Sequence, residues 1–217
     1  MTVDDRPDAA AEAAEVEREG LAIAAERQTL FSDAVIAIAI TLLALELPAP
    51  EGTTNAELFH SALGYRVEYL AFLISFAVIW AHWSAHHRTF RYVTGFDRRL
   101  GTLNTAWLFT QVITPFATKV ISGDGAFQVR FGFYAVVQAA SSILFALMVI
   151  HIRRAGLYRP GTPMAAFDDG LSRSWAFVAA FLLSIPLSLL TDYSWVCWIV
   201  VPVLGYRIPG LLRRRRS

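Results

Sequence analysis

Apolar positions along this chain come in long unbroken runs and not in alternation. Leu100 to Thr118, Phe131 to Ile150 and Ser174 to Thr191 contain no charged residue, and each run is 18 to 20 residues long. That length crosses a hydrocarbon core of about 30 Å at roughly 1.5 Å per helical residue. Shorter runs at Ala34 to Leu45, Tyr69 to Ala81 and Tyr193 to Tyr206 reach spanning length with their polar and aromatic flanks. The pattern predicts six membrane helices, an all-α integral membrane protein. Residues 1–26 are a lead-in, 27–211 the transmembrane domain and 212–217 a basic tail.

Composition agrees: hydrophobic residues make up 55% of the 217, above the usual share for soluble domains. The first 20 residues, rich in Ala and Glu, lack the apolar core of a secretory signal and are expected to be soluble and partly helical or disordered. A single Cys197 excludes an intramolecular disulfide and a thiolate metal cage.

The net charge of +1 conceals an asymmetry. With six spans both termini share a side, and 16 of the 19 Lys and Arg fall there, leaving Arg66, Lys119 and Arg130 opposite. The positive-inside rule then puts both termini in the cytoplasm, with short outer loops near 48–64, 119–129 and 191–194. Arg213 to Arg216 read as a topology lock and a contact to anionic headgroups. Nothing points to nucleic acid, because no basic domain with interleaved aromatics accompanies them.

The first helix carries the most unusual chemistry. Ser32-Asp33 lies one turn into its apolar run, and a carboxylate at a helix centre costs roughly 2.5 to 3.5 kcal/mol. This helix is therefore expected to face protein or water. Ile38, Leu42 and Leu45 form one stripe, with Ala34, Ala37, Thr41 and Ala44 as a small-residue face beside it. In the second helix His82 and His86 share a face. The HWSAH order lacks the Glu of a zinc HExxH motif, so hydrogen bonding is the expected role, with His82 placed to pair with Asp33. Asn104, Trp107 and Gln111 of the third helix suit the same cluster, and Pro115 can bend that helix. The fourth and fifth helices read as scaffold, with Gln138, Ser141, Ser142, Ser184 and Ser188 as packing polars. Val203 to Arg207 lacks the second Gly of a carbonyl filter and sits among arginines, so it is not read as one.

Arg27-x-x-x-Phe31-Ser32-Asp33 followed by Ala34, Ile38 and Thr41 resembles the R-x-x-x-F-S-D signature of the transmembrane protein 175 family. The six-helix layout, the Trp/His cluster of helix two, and Asn104, Trp107 and Pro115 extend that resemblance from Arg27 to Arg207. It implies a potassium-permeable homotetrameric channel, with the first helix of each subunit lining the pore; the expected location is the plasma membrane. It also implies an apolar constriction in place of a carbonyl filter, here Ile38 with Leu42 and Leu45. Thr41 would offer hydroxyls to the ion path and Glu46 could gather cations at the outer mouth. Arg27, Phe31, Ser32 and Asp33 correspond to a packing cluster that contacts His82, Asn104 and Trp107. Potassium would be the permeant ion, with no cofactor. Two rivals stand beside this reading: a proton-coupled or ion carrier relaying through Asp33 and His82, and a metal enzyme using His82, His86 and His87.

Overall fold

A computed structural model describes residues 6–202. Six α-helices follow in order: α1 (Arg6–Leu45), α2 (Asn55–Gly64), α3 (Arg66–Phe90), α4 (Arg98–Ser122), α5 (Phe127–Ala155) and α6 (Met164–Leu187). A 3-10 turn at Ser194–Val196 leads into a further helix from Cys197 to the end of the described residues. The sixth predicted span is thus seen at its start only. The Val203 to Arg207 segment, the residues from 203 to 211 and the 212–217 tail lie outside the described residues.

The helices overrun the uncharged stretches from which they were predicted. α6 starts at Met164, ten residues before the run beginning at Ser174, because Asp168, Asp169 and Arg173 in its first turns ended the apolar count. α1 begins at Arg6 and is continuous for 40 residues, so the expected lead-in is helix. It ends at Leu45, and Pro48 and Pro50 just beyond, without amide protons, disfavour further helix.

The expected loop at 48–64 is partly helical, since it holds α2. A capping box starts it: Glu57 N–H donates to Thr54 Oγ1 (3.3 Å), while Glu57 Oε2 accepts from the Thr54 (3.2 Å) and Thr53 (2.8 Å) amides. The Thr54-x-x-Glu57 spacing was the available signal.

By length and apolar composition, α1, α3, α5 and α6 qualify as membrane spans. α4 is long enough but more polar, since Asn104, Thr110, Gln111, Thr114 and Thr118 all lie on it, and all five are buried in the bundle. α4 and α5 are the centre: α6 packs on α5, and α1 packs on α3 and α4. One core joins Ile36 and Leu43 of α1 to Ile79, Trp107, Phe145, Met148 and Phe167. The second, towards the opposite end, gathers Phe131, Tyr134, Phe181 and Trp198.

At the arginine-rich end the α3–α4 and α5–α6 loops are joined by an antiparallel bridge between Val93 and Tyr158, with Arg159 N–H donating to Tyr92 O at 2.9 Å. Asp97 caps α4 there through the Leu100 amide (2.7 Å) and also meets His151 Nε2 of α5 (2.8 Å).

Candidate pore face and its anchor

α1 has two faces of opposite character. Ser32, Ile36, Ala39 and Leu43 recur at i, i+4, i+7 and i+11, and all four are buried against their own subunit. Ile38, Leu42 and Leu45 are exposed, at 59%, 38% and 78%. Ala34, Ala37, Thr41 and Ala44 are exposed with them. Ile38 is two residues from Ile36, about 200° round the helix. One face is held, and the other is free.

The holding is polar at its base. Ser32 Oγ donates to Gln28 O (2.8 Å) and accepts from Asn104 Nδ2 of α4 (2.9 Å). Asn104 Oδ1 meets His86 Nε2 of α3 at 3.0 Å, which makes Nε2 the protonated ring nitrogen. His86 is clamped between aromatic rings, 3.8 Å from Phe90 and 4.7 Å from Trp107, the latter nearly parallel at 5°. Three helices therefore meet at one fully buried hydrogen-bonded chain.

Asp33 is satisfied differently from expectation. Its Oδ1 accepts from Trp83 Nε1 at 2.9 Å, and the predicted pair with His82 does not form. His82 instead points into the bundle, where Nδ1 meets Ser141 Oγ (3.2 Å) and Nε2 meets Ser142 Oγ (3.3 Å) of α5. The physical reason is helix phase. Trp83 is 100° from His82 on α3, and only the indole faces α1. Gln111 also leaves the Asn104 cluster, donating to Ser141 Oγ at 2.6 Å. Asn104, Trp107 and Gln111 thus share a helix face but serve two separate layers.

Of the signature residues, Ser32 and Asp33 reach neighbouring helices. Arg27 and Phe31 do not: both are exposed on the subunit, contrary to the expected contact with α3 and α4. Thr41 Oγ1 donates to Ile38 O (2.8 Å), so its proton is committed to α1 and its lone pairs are turned outward. Glu46 is not a bare charge, for Oε2 lies 2.8 Å from Lys119 Nζ of α4.

The sequence puts a tryptophan, Trp83, inside the HWSAH run and marks His86 as sharing a face with His82, but assigns neither of them the anchoring role. An indole as donor for a lone membrane carboxylate was an available clue. The α1–α3 stagger that levels His86 with Ser32 was not. No three metal-ligating side chains converge among the described residues, so the metal-enzyme reading has no donor set there.

Four helices apolar enough to cross a membrane, with the first anchored along one stripe and bare along the opposite one, define a polytopic membrane protein with an unpartnered face on its first helix. The family described as endosomal/lysosomal potassium channel TMEM175 matches residues 27–115, which contain the whole anchor. The crystal structure of a lysosomal potassium-selective channel TMEM175 homolog from Chamaesiphon minutus aligns with a TM-score of 0.67 and 30% identity, covering 87% of this chain and 97% of that one. The chain belongs to this family.

A potassium channel of Streptomyces collinus is 34% identical over 134 residues, 60% of this chain and 65% of the relative. The endosomal/lysosomal proton channel TMEM175 of Gallus gallus is 40% identical over 87 residues, 36% of this chain and 17% of the relative. The chain thus covers less than two thirds of either of these relatives. They are named as channels, not enzymes.

Proposed function

We propose that the protein is a potassium-permeable cation channel, assembled as a homotetramer in the plasma membrane with both termini cytoplasmic. Four copies of α1 surround the pore, with Ile38, Leu42 and Leu45 as its constriction. The observation that carries this reading is the bare apolar stripe of α1, opposite its buried anchor. The charge asymmetry supports the orientation, and the named channel relatives support the permeant ion.

A narrow ring of Ile and Leu excludes water, so an ion must shed hydration to pass and a small dilation opens it. Potassium dehydrates more cheaply than sodium, and the outward lone pairs of Thr41 compensate part of that loss. Discrimination of this kind is modest beside that of a carbonyl filter. Glu46 adds less to the outer mouth than a free carboxylate, because Lys119 neutralises it. The carrier reading loses its relay, since Asp33 and His82 turn to different partners.

Potassium flux from liposomes tests the proposal, comparing wild type with Ile38→Asn. The substitution is expected to wet the neck, raise flux and weaken potassium-over-sodium preference. Unchanged flux would remove Ile38 from the ion path. Because relatives include a named proton channel, the same liposomes should be read with a pH dye.

A further inference from the structure

α1 is longer than a membrane crossing requires. Its 40 residues extend about 60 Å, twice the thickness of the hydrocarbon core. Among the described side chains of residues 11 to 27, only Ala25 is buried. In proteins most helical stability comes from packing an apolar face, and among the described residues this stretch has almost none of that packing.

The surface for such a contact is present. Ala13, Val16, Gly20, Ile23, Arg27, Leu30 and Ala34 alternate three and four residues apart, the 3.5-residue repeat of a left-handed coiled coil. Val16, Ile23 and Leu30 are each more than half exposed. The line continues without a break into Ala37 and Thr41, on the bare membrane face of the same helix. It also points away from the subunit: Ala25 and Ser32, which are buried, stand two residues on from Ile23 and Leu30, about 200° round the helix. Among the described residues of the chain's own bundle, none covers it.

The inner membrane surface is a poor occupant. Between residues 11 and 27 five glutamates stand against two arginines, and an anionic leaflet repels that balance. Glu12, Glu19, Glu26 and Asp33, seven residues apart, border the stripe on one side, as flanking charges do in a parallel coiled coil. Glu26, level with Arg27 in a parallel pair, offers its carboxylate to Arg27 of an adjacent copy, and both side chains are exposed here. Gly20 has open space beside it. A glycine inside a helix costs roughly 1 kcal/mol relative to Ala, and within this stripe it lets another backbone approach closely.

We propose that the N-terminal halves of α1 from neighbouring copies pair in parallel through Val16, Ile23 and Leu30. They form a cytoplasmic helical collar that prolongs the pore. The proposal rests on the homo-oligomeric reading above, and its partner is a second copy of this chain.

Cysteine cross-linking of the full chain tests it, in a Cys197→Ala background so that no native thiol interferes. Ile23→Cys is compared with Ala22→Cys, one residue and about 100° away, while light scattering reports the mass in detergent. A multimer in which Ile23→Cys is oxidised to covalent dimers at least tenfold faster than Ala22→Cys supports the collar. A multimer in which the two react equally overturns the collar and leaves the assembly standing. A monomeric mass overturns both.

Discussion

Asn104 is where the anchor of α1 is most exposed to a single change. Asn104→Ala deletes the amide that bonds both Ser32 (2.9 Å) and His86 (3.0 Å), in a site closed to water. An interhelical hydrogen bond in a membrane protein is worth about 0.6 kcal/mol on average and up to about 1.7, which covers the Ser32 contact. Ser32 itself is not left without a partner, because its hydroxyl still donates to Gln28 O at 2.8 Å. His86 is: Nε2 loses its acceptor between two aromatic rings, and a buried unmatched donor costs roughly 1 to 3 kcal/mol. The expected loss is therefore about 2 to 5 kcal/mol, a large part of a total of roughly 5 to 15. Reversible denaturation in mixed SDS micelles, followed by tryptophan fluorescence, measures it. Replacing both partners by apolar groups should recover much of the loss, so Asn104→Leu with His86→Phe is expected to be more stable than Asn104→Leu alone. A loss below about 1 kcal/mol, or a double variant no better than the single one, would refute the orphaned-donor reasoning.

Other expectations follow from the same geometry. Asp33→Asn keeps an acceptor for Trp83 Nε1 and should assemble almost normally, whereas Asp33→Ala should lower the yield of assembled protein on gel filtration; equal yields would dismiss the indole bond. Lys119→Gln frees the Glu46 carboxylate and should raise cation conductance at low salt, with the difference fading near 1 M, where the screening length is about 3 Å. A difference independent of salt would exclude an electrostatic cause. The Asp97 carboxyl is held below its ordinary range: burial pushes it up, but the Leu100 amide, the His151 ring and the Arg99 amide outweigh that. Its contribution to stability is present above the unfolded value of about 4 and is lost as pH falls through the lowered folded value. Asp97→Asn should accordingly flatten the acid limb of a melting-temperature profile, and an unaltered limb would show that the cap is not linked to pH.

Much of this protein was legible before any tertiary information. Uncharged runs near 20 residues have few alternatives to membrane helices, because every backbone polar group in lipid must bond within its own helix. The arginine asymmetry and the R-x-x-x-F-S-D spacing are equally local properties of the chain. So is the phase of Ile38, Leu42 and Leu45, since helix periodicity alone makes them one stripe. Tertiary structure decided what each face met. Periodicity cannot tell a bare stripe from a buried one, and only the packing of α1 on α3 and α4 assigned Ser32, Ile36, Ala39 and Leu43 to the inside. It also decided the pairs. Asp33 could have reached His82 or Trp83, which are adjacent in sequence and 100° apart in space. The rotation and stagger of α3 against α1, set by the summed packing of the whole bundle, gave Asp33 the indole, Ser32 the Asn104–His86 chain, and His82 the two serines of α5.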